Sequence, residues 1–239
     1  MLRKLTSPFK EFGILSGSLY IVDRMLHTIS PQIGVKVYEF MVQPITNKAL
    51  LPDSLTRNME FREINRGELE LNRMPPPPAV IESRYAQGAV CLGAFLKGSF
   101  IGYIWFCFGA YDEDEIRCTY LLQNPSVAVF VFDLYIVPEY RMGIGFMGVW
   151  HGANQYLYNR GIRYTYSRLT RFNLASRRSH KHLGWNRIGS AAVVLTPRTE
   201  IMISTLFPFL FFSRKRRMQL KFNPGVLIAD RDRSNHSSH

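Results

Sequence analysis

Between residues 140 and 199 the chain holds no aspartate or glutamate, while ten lysines and arginines fall in the same stretch. Over the whole chain 30 Lys+Arg stand against 18 Asp+Glu, a net charge of +12. Most of the surplus therefore sits in a quarter of the length. A solvated face ordinarily mixes both signs. One-signed charge on this scale suits a polyanion: a phosphorylated cofactor, a nucleic acid or an anionic membrane. A second basic cluster, Arg214-Lys215-Arg216-Arg217, follows an apolar run that ends at Phe212.

Cysteine is scarce. Cys91, Cys107 and Cys118 are odd in number and lack metal-ligand spacing, as expected for reduced thiols of a cytosolic protein without a metal centre. No apolar run approaches the ~20 residues that a bilayer core demands. Residues 100–110 are interrupted by glycine, and 201–212 are broken by Ser204, Thr205 and Pro208. Met1-Leu2-Arg3-Lys4 opens like a signal peptide, but neither a continuous apolar segment nor a small-residue cleavage site follows. There is no heptad run and no repeat at a period of roughly 20–50 residues, which excludes coiled coils and solenoids. A hydrophobic content of 46% excludes disorder for most of the chain.

Leu15, Leu19, Val22 and Leu26 recur at helical spacing, and Pro31 stops that helix. Residues 35–42 alternate as a strand that Pro44 ends, and 46–74 read as polar and helical in part. The prolines at 75–78 predict a stiff extended spacer, neither helix nor central strand. It is either a domain boundary or a rigid loop inside one domain. Two strand-like runs, 89–96 and 99–108, flank Lys97-Gly98 and predict a β-hairpin. Residues 127–137 are apolar at both parities, as in a strand buried on both faces, with Asp133 as the one charge. A helix then carries Phe146, Val149, Trp150, Ala153 and Leu157 on one stripe and ends at Gly161. A strand over 162–169 follows. Next come a short helix capped by Asn173 and stopped by Gly184, and strands at 190–195 and 200–206. The class is α+β, or mixed α/β, around one sheet.

The stretch most able to carry chemistry is the buried strand, the turn Pro138-Glu139-Tyr140-Arg141-Met142-Gly143-Ile144-Gly145, and the helix after it. Glycines at a strand-to-helix turn let the backbone approach a ligand, and the first-turn N–H groups then form an anion nest. A plain tight turn uses the same residues. A Rossmann site formally gains its third glycine at Gly148, but no acidic residue lies ~20 residues on to hold a ribose. No Gly-Lys-Ser/Thr follows, so a Walker A loop is excluded.

The segment Asp133-Leu134-Tyr135-Ile136-Val137-Pro-Glu-Tyr-Arg141-x-Gly143-x-Gly145 resembles the acetyl-CoA-binding motif of the GNAT superfamily of N-acetyltransferases. Further on, Asn173-x-x-Ser176-x-x-Ser179-His180-x-x-Leu183-Gly184-Trp185 resembles the family's second motif, usually Asn-x-x-Ala-x-x-Leu-Tyr-x-x-x-Gly-Phe. The hairpin with Gly102-Tyr103 resembles the one that precedes them. The resemblance covers roughly residues 86–195, with a weaker match at 35–43. The glycine loop is one residue shorter than usual, and His180 stands where the family has tyrosine. The resemblance implies a GNAT-like acyltransferase domain over 35–206, between an N-terminal helical extension (1–34) and a basic C-terminal extension (207–239) with a disordered tail. Its sheet would be twisted and mostly antiparallel, with a splayed parallel pair at the acetyl-CoA site and flanking helices.

By the same resemblance, Leu134, Tyr135, Ile136 and Val137 would present strand backbone to the cofactor. Arg141, Met142, Gly143, Ile144, Gly145 and Phe146 would cradle its pyrophosphate. Asn173 and Ser176 complete the set, Asn173 by bonding the pantetheine arm or merely by capping its helix. Arg177, Arg178 and Lys181 meet the ribose phosphate of CoA or nothing. His180 takes the place from which relatives protonate the leaving thiolate, or is a surface histidine. Asp133, a carboxylate in an apolar strand, is expected to have a raised pKa and to serve as base; the contrary reading is a structural aspartate bonded to backbone N–H groups or to an arginine. Glu113, Asp114 and Glu115 are rival bases or an amine-binding loop. The expected activity is acetyl-CoA-dependent transfer of an acetyl or other acyl group to an amine by direct attack. The alternative is a non-catalytic GNAT-like protein whose basic surface binds nucleic acid or anionic membrane. Nucleic acid ranks lower, since Tyr164 and Tyr166 alternate as strand residues should. Residues 206–217 join large apolar side chains to four cations. That is the composition of a segment at the inner face of an anionic membrane, or of a last strand and a basic loop.

Overall fold

The computed structural model describes residues 14–30, 32–141 and 143–223. In chain order the elements are α1 (Ile14–Ile29), β1 (Gly34–Pro44), α2 (Asp53–Thr56), β2 (Met59–Ile64), a 3-10 turn (Leu69–Arg73), α3 (Pro78–Ala86), β3 (Val90–Leu96) and β4 (Ser99–Cys107). They continue with β5 (Ala110–Asp112), β6 (Cys118–Leu122), β7 (Ala128–Ile136), a second 3-10 turn (Pro138–Tyr140), α4 (Gly145–Asn159) and β8 (Tyr164–Thr170). The last are α5 (Leu174–Lys181), β9 (Asn186–Leu195), β10 (Glu200–Ser204), β11 (Leu210–Ser213) and β12 (Met218–Phe222). The class is mixed α+β, with mostly antiparallel strand pairs. The chain forms two compact units. One comprises Met1–Val42, Glu113–Thr119 and Ser167–Leu220; the other comprises Gln43–Asp112, Tyr120–Tyr166 and Lys221–His239.

In the first unit, β1 is buried along nearly its whole length, with Val35, Val37, Tyr38, Phe40, Met41 and Val42 in the core. It pairs antiparallel with β9, from Gly34↔Leu195 to Val42↔Asn186. β9 pairs with β10, and β10 with β11, giving the order β11-β10-β9-β1 followed by the C-terminal half of β8. Arg171 N–H, just past β8, donates to Val37 O at 2.8 Å. α1 is tied down where Asp23 Oδ1 accepts the Val35 N–H at 2.8 Å and where Tyr20 sets its ring edge on Phe172. The apolar run after Ile201 supplies two strands, β10 and β11, rather than one, and a further strand, β12, follows the basic cluster. The expected disordered tail from residue 230 lies outside the described residues.

The second unit runs β2-β3-β4-β7 and on to the start of β8. The β3–β4 hairpin forms as expected: Lys97 (φ 50°) and Gly98 (φ 78°) both take positive φ, the requirement of a two-residue turn whose twist matches its strands. Residues 46–74 are helical in part, as expected, at α2 and the first 3-10 turn, and β2 stands between them. Its cross-strand pairing with β3, Met59↔Leu96 to Ile64↔Cys91, overrides local propensity. The proline run lies inside this unit. Pro78 opens α3, since a first-turn proline forfeits no helical hydrogen bond.

β7 and β8 start side by side in parallel. Arg163 and Tyr164 N–H both donate to Val127 O, and α4 makes the crossover. Gly148 and Gly152 let α4 press onto β2, where an added Cβ would meet Met59 and the Phe61 ring. Gly148, the third glycine of the dinucleotide pattern, thus serves helix-to-sheet packing.

Candidate functional site

β7 begins fully buried from Ala128 to Val131 and becomes half-buried from Phe132 to Tyr135. The change coincides with a β-bulge. Trp105 pairs with Asp133 but Phe106 pairs with Val131, so Phe132 is the extra residue. A bulge turns the following residues relative to the ladder and re-aims their side chains and backbone. Past it come Leu134, Tyr135, Ile136 and Val137, then the 3-10 turn, Gly143 and α4.

This turn meets two different constraints. Gly143 has φ 137°, and a Cβ added there would meet nothing within 4 Å. Its conformation demands glycine and leaves open space in front of the backbone. Gly145 is different: a Cβ would strike the Tyr140 carbonyl and would lie 2.7 Å from Ile136 Cγ2. The expectation that both glycines make room for a phosphate is therefore corrected for Gly145, which makes room for the protein's own chain. Ile144 is the N-cap, and Gly148 N–H donates to Ile144 O at 2.6 Å. The N–H groups before Gly148 lie in the first turn of a 15-residue helix with no acidic residue there. The N-terminus of such a helix attracts anions through the helix dipole. Phe146 is half-buried in that turn, and Met142 lies outside the described residues.

Arg141 folds back instead of reaching outward. Its Nε donates to Ile136 O at 2.9 Å, and its guanidinium lies 5.4 Å from the centre of the Tyr135 ring. Tyr135 stacks on Tyr103, whose hydroxyl donates to Asp133 Oδ2 at 3.1 Å. Burial pushes the Tyr103 hydroxyl far above its usual range, so it stays a donor. Arg84 Nη1 donates to the same Asp133 oxygen at 2.6 Å. Asp133 is thus no isolated carboxylate in an apolar strand, and of the two readings made for it the geometry favours the structural one. Arg84 comes from α3, a helix that the proline run concealed, and its guanidinium also lies over Trp105 and Phe132. One connected series, Arg84–Asp133–Tyr103–Tyr135–Arg141, leads from α3 to the glycine turn. A cavity of about 620 Å³ opens beside that turn between Arg73, Phe95, Phe100, Val137, Glu139 and Tyr140, within the size range of small-ligand pockets.

The second-motif residues belong to the first unit. Asn173 caps α5, its Oδ1 accepting Ser176 N–H at 3.0 Å. His180 is buried, and its Nδ1 donates to Ser176 O at 2.8 Å. Burial lowers its pKa, against the opposing effect of that bond. The surface-histidine reading is overturned. A histidine held neutral with Nδ1–H engaged is also poorly set to donate a proton as imidazolium. The rival acids are occupied too. Glu113 is buried, binds Arg168, and accepts the Ile116 and Glu115 N–H groups at 2.9 and 3.0 Å. Its pKa is raised by burial, with Arg168 opposing. Glu115 accepts the Tyr38 hydroxyl at 2.9 Å and pairs with Lys36 and Arg168. Arg177 is bound to the buried Glu39, 2.9 Å from Nε, with Arg171 and Arg187 nearby. The Tyr38–Arg168–Glu113–Glu115 cluster was not legible in the sequence, beyond the run of acids itself.

No protein-family model matches the chain, and no curated protein matches it. Among solved structures it is similar to a conserved protein of unknown function from Staphylococcus epidermidis, at 11% identity and TM-score 0.48, covering 72% of this chain and 65% of that one. It is similar to a tandem GNAT protein from the clavulanic acid biosynthesis pathway, at 12% identity and TM-score 0.44, covering 68% and 55%. It is also similar to an aminoglycoside N-acetyltransferase in complex with CoA, at 19% identity and TM-score 0.36, covering 52% and 90%. Proteins of the GNAT superfamily are thus among the solved structures that this fold resembles.

Proposed function

We propose that the protein is an acyl-CoA-dependent N-acyltransferase of the GNAT type, with acetyl-CoA as donor and an amine as acceptor. The observation that carries the reading is the glycine turn after a bulged strand. Gly143, with nothing within 4 Å of where a side chain would stand, precedes the first turn of α4, at the end of a strand bulged at Phe132. A pyrophosphate would be held by backbone donors and the helix dipole, with Arg141 fastening the turn rather than touching the phosphates. The free amine attacks the thioester carbonyl carbon, the C–S bond breaks, and the ammonium formed loses its proton as the CoA thiolate gains one. A strand N–H past the bulge would stabilise the carbonyl oxygen as charge develops there. Bringing amine and thioester together supplies much of the rate. With Asp133 held by Arg84, Glu113 by Arg168, and His180 by Ser176, a water chain to solvent fits the proton's exit better than a dedicated side chain.

The test is calorimetric titration with acetyl-CoA, followed by release of free thiol over a panel of amines. Micromolar binding and amine-dependent thiol release are expected. Absence of binding at millimolar acetyl-CoA overturns the reading and favours a non-catalytic scaffold.

A further inference from the structure

Among the described residues, the β10–β11 hairpin leaves an apolar sheet face unpartnered. Register places Ile201 between Val194 on β9 and Phe212 on β11, and Ile203 opposite Leu210. Alternate residues of these strands, Met202, Ser204 and Ser213, point inward and are buried. Those facing out are the large ones: Ile203 is 63% exposed, Leu210 68% and Phe212 57%. The turn joining the strands adds Phe207 at 78% and Phe209 at 63%, packed edge-on against each other. Scattered apolar residues need no explanation, but a contiguous face that continues around a hairpin tip does.

Charge decides what covers it. The exposed cations Arg214, Lys215 and Arg216 begin one residue after β11 ends. Residues 201–229 contain no aspartate or glutamate, and Glu200, at the cationic end of the hairpin, is committed to Arg117 at 3.0 Å. The cations follow the apolar face directly: Arg214 stands two residues after Phe212 and five after Phe209. That adjacency is the arrangement of an interfacial segment, whose apolar groups lie ~5–10 Å deep while its cations remain among the lipid phosphates. An anionic bilayer answers the cations and the apolar face together, whereas the same hairpin of a second copy, with no acid over 201–229, offers these cations no counter-charge.

We propose that this hairpin seats the protein on an anionic bilayer, with Phe207 and Phe209 in the acyl boundary and Arg214, Lys215 and Arg216 at the lipid phosphates. The hairpin belongs to the first unit and the glycine turn to the second, and the proposal does not depend on acyl transfer. The test is co-sedimentation of the full chain with phosphatidylcholine vesicles, with and without phosphatidylglycerol, at low and high salt. Binding is expected only with the anionic lipid and should fall steeply with salt. Lys215→Gln with Arg216→Gln should weaken it about 25-fold, since each cation near such a surface contributes about five-fold. Phe207→Ser with Phe209→Ser, at positions outside the core, should weaken it at least ten-fold with circular dichroism unchanged. A protein that stays in the supernatant with anionic vesicles at low salt overturns the proposal. So does equal binding to neutral vesicles, or wild-type binding by either double variant. Light scattering that shows a dimer dissolved by the phenylalanine substitutions would assign the face to a second copy instead.

Discussion

Asp133 and Arg84 invite a double-mutant cycle, because removing either leaves the other in a place built for a pair. The Arg84 side chain is only 7% exposed and that of Asp133 24%, with 2.6 Å between Nη1 and Oδ2. Breaking such a pair from one side costs about 3–5 kcal/mol when the remaining charge is fully buried. Asp133→Asn strands the more buried partner among Trp105 and Phe132, yet the amide still offers an oxygen to Tyr103, so about 3 kcal/mol is expected. Arg84→Met leaves a carboxylate that water reaches in part, so the cost should be smaller, about 2 kcal/mol. For a chain of this size each kcal/mol lowers Tm by roughly 2–4 °C. Asp133→Asn should therefore melt about 6–12 °C lower. The double variant should be more stable than the sum of the two predicts, with a coupling of about 1–2 kcal/mol. Thermal and urea unfolding give these values. If the folded Asp133→Asn protein keeps its wild-type Tm but loses acyl transfer with a changed pH–rate profile, the structural role is refuted and Asp133 is the base.

Gly145→Ala should destabilise by about 1–3 kcal/mol through overpacking against the Tyr140 carbonyl and Ile136, read as a lowered urea midpoint. Gly143→Ala strains a glycine-only φ at about 1–3 kcal/mol but collides with nothing inside the protein. It should weaken acetyl-CoA binding several-fold more than its stability loss explains, and unchanged affinity by calorimetry would discard the nest. His180 has its folded pKa depressed below an unfolded value of about 6.5, so its neutral form favours the fold and protonation favours unfolding. Its contribution is present above that value and declines as pH falls through it toward the folded pKa. Comparing Tm from pH 8 to 5, about the range of this titration, His180→Gln should narrow its gap to wild type on the acid side. A constant gap contradicts a buried neutral imidazole.

Local chemistry wrote much of this fold into the sequence. The Lys97-Gly98 hairpin, the apolar run of β7, the stripe of α4 with its stop at Gly161, and the Asn173 cap each rest on a rule acting within a few residues. All of them appear at their expected places. Tertiary pairing decided the rest. The strand β2 exists because β3 offers it a partner, and α3 forms although it opens on the last of four prolines. Gly143 and Gly145 look alike in a motif, yet one faces open space and the other the Tyr140 carbonyl, a distinction that arises only when the turn closes on β7. Asp133, Glu113 and His180 have the residue types of acids and bases, but a side chain's chemistry follows from what surrounds it. Arg84 lies 49 residues before Asp133, and Arg168 lies 55 after Glu113. Sequence spacing does not encode such partners, because they meet only when strands from distant parts of the chain are hydrogen-bonded into register.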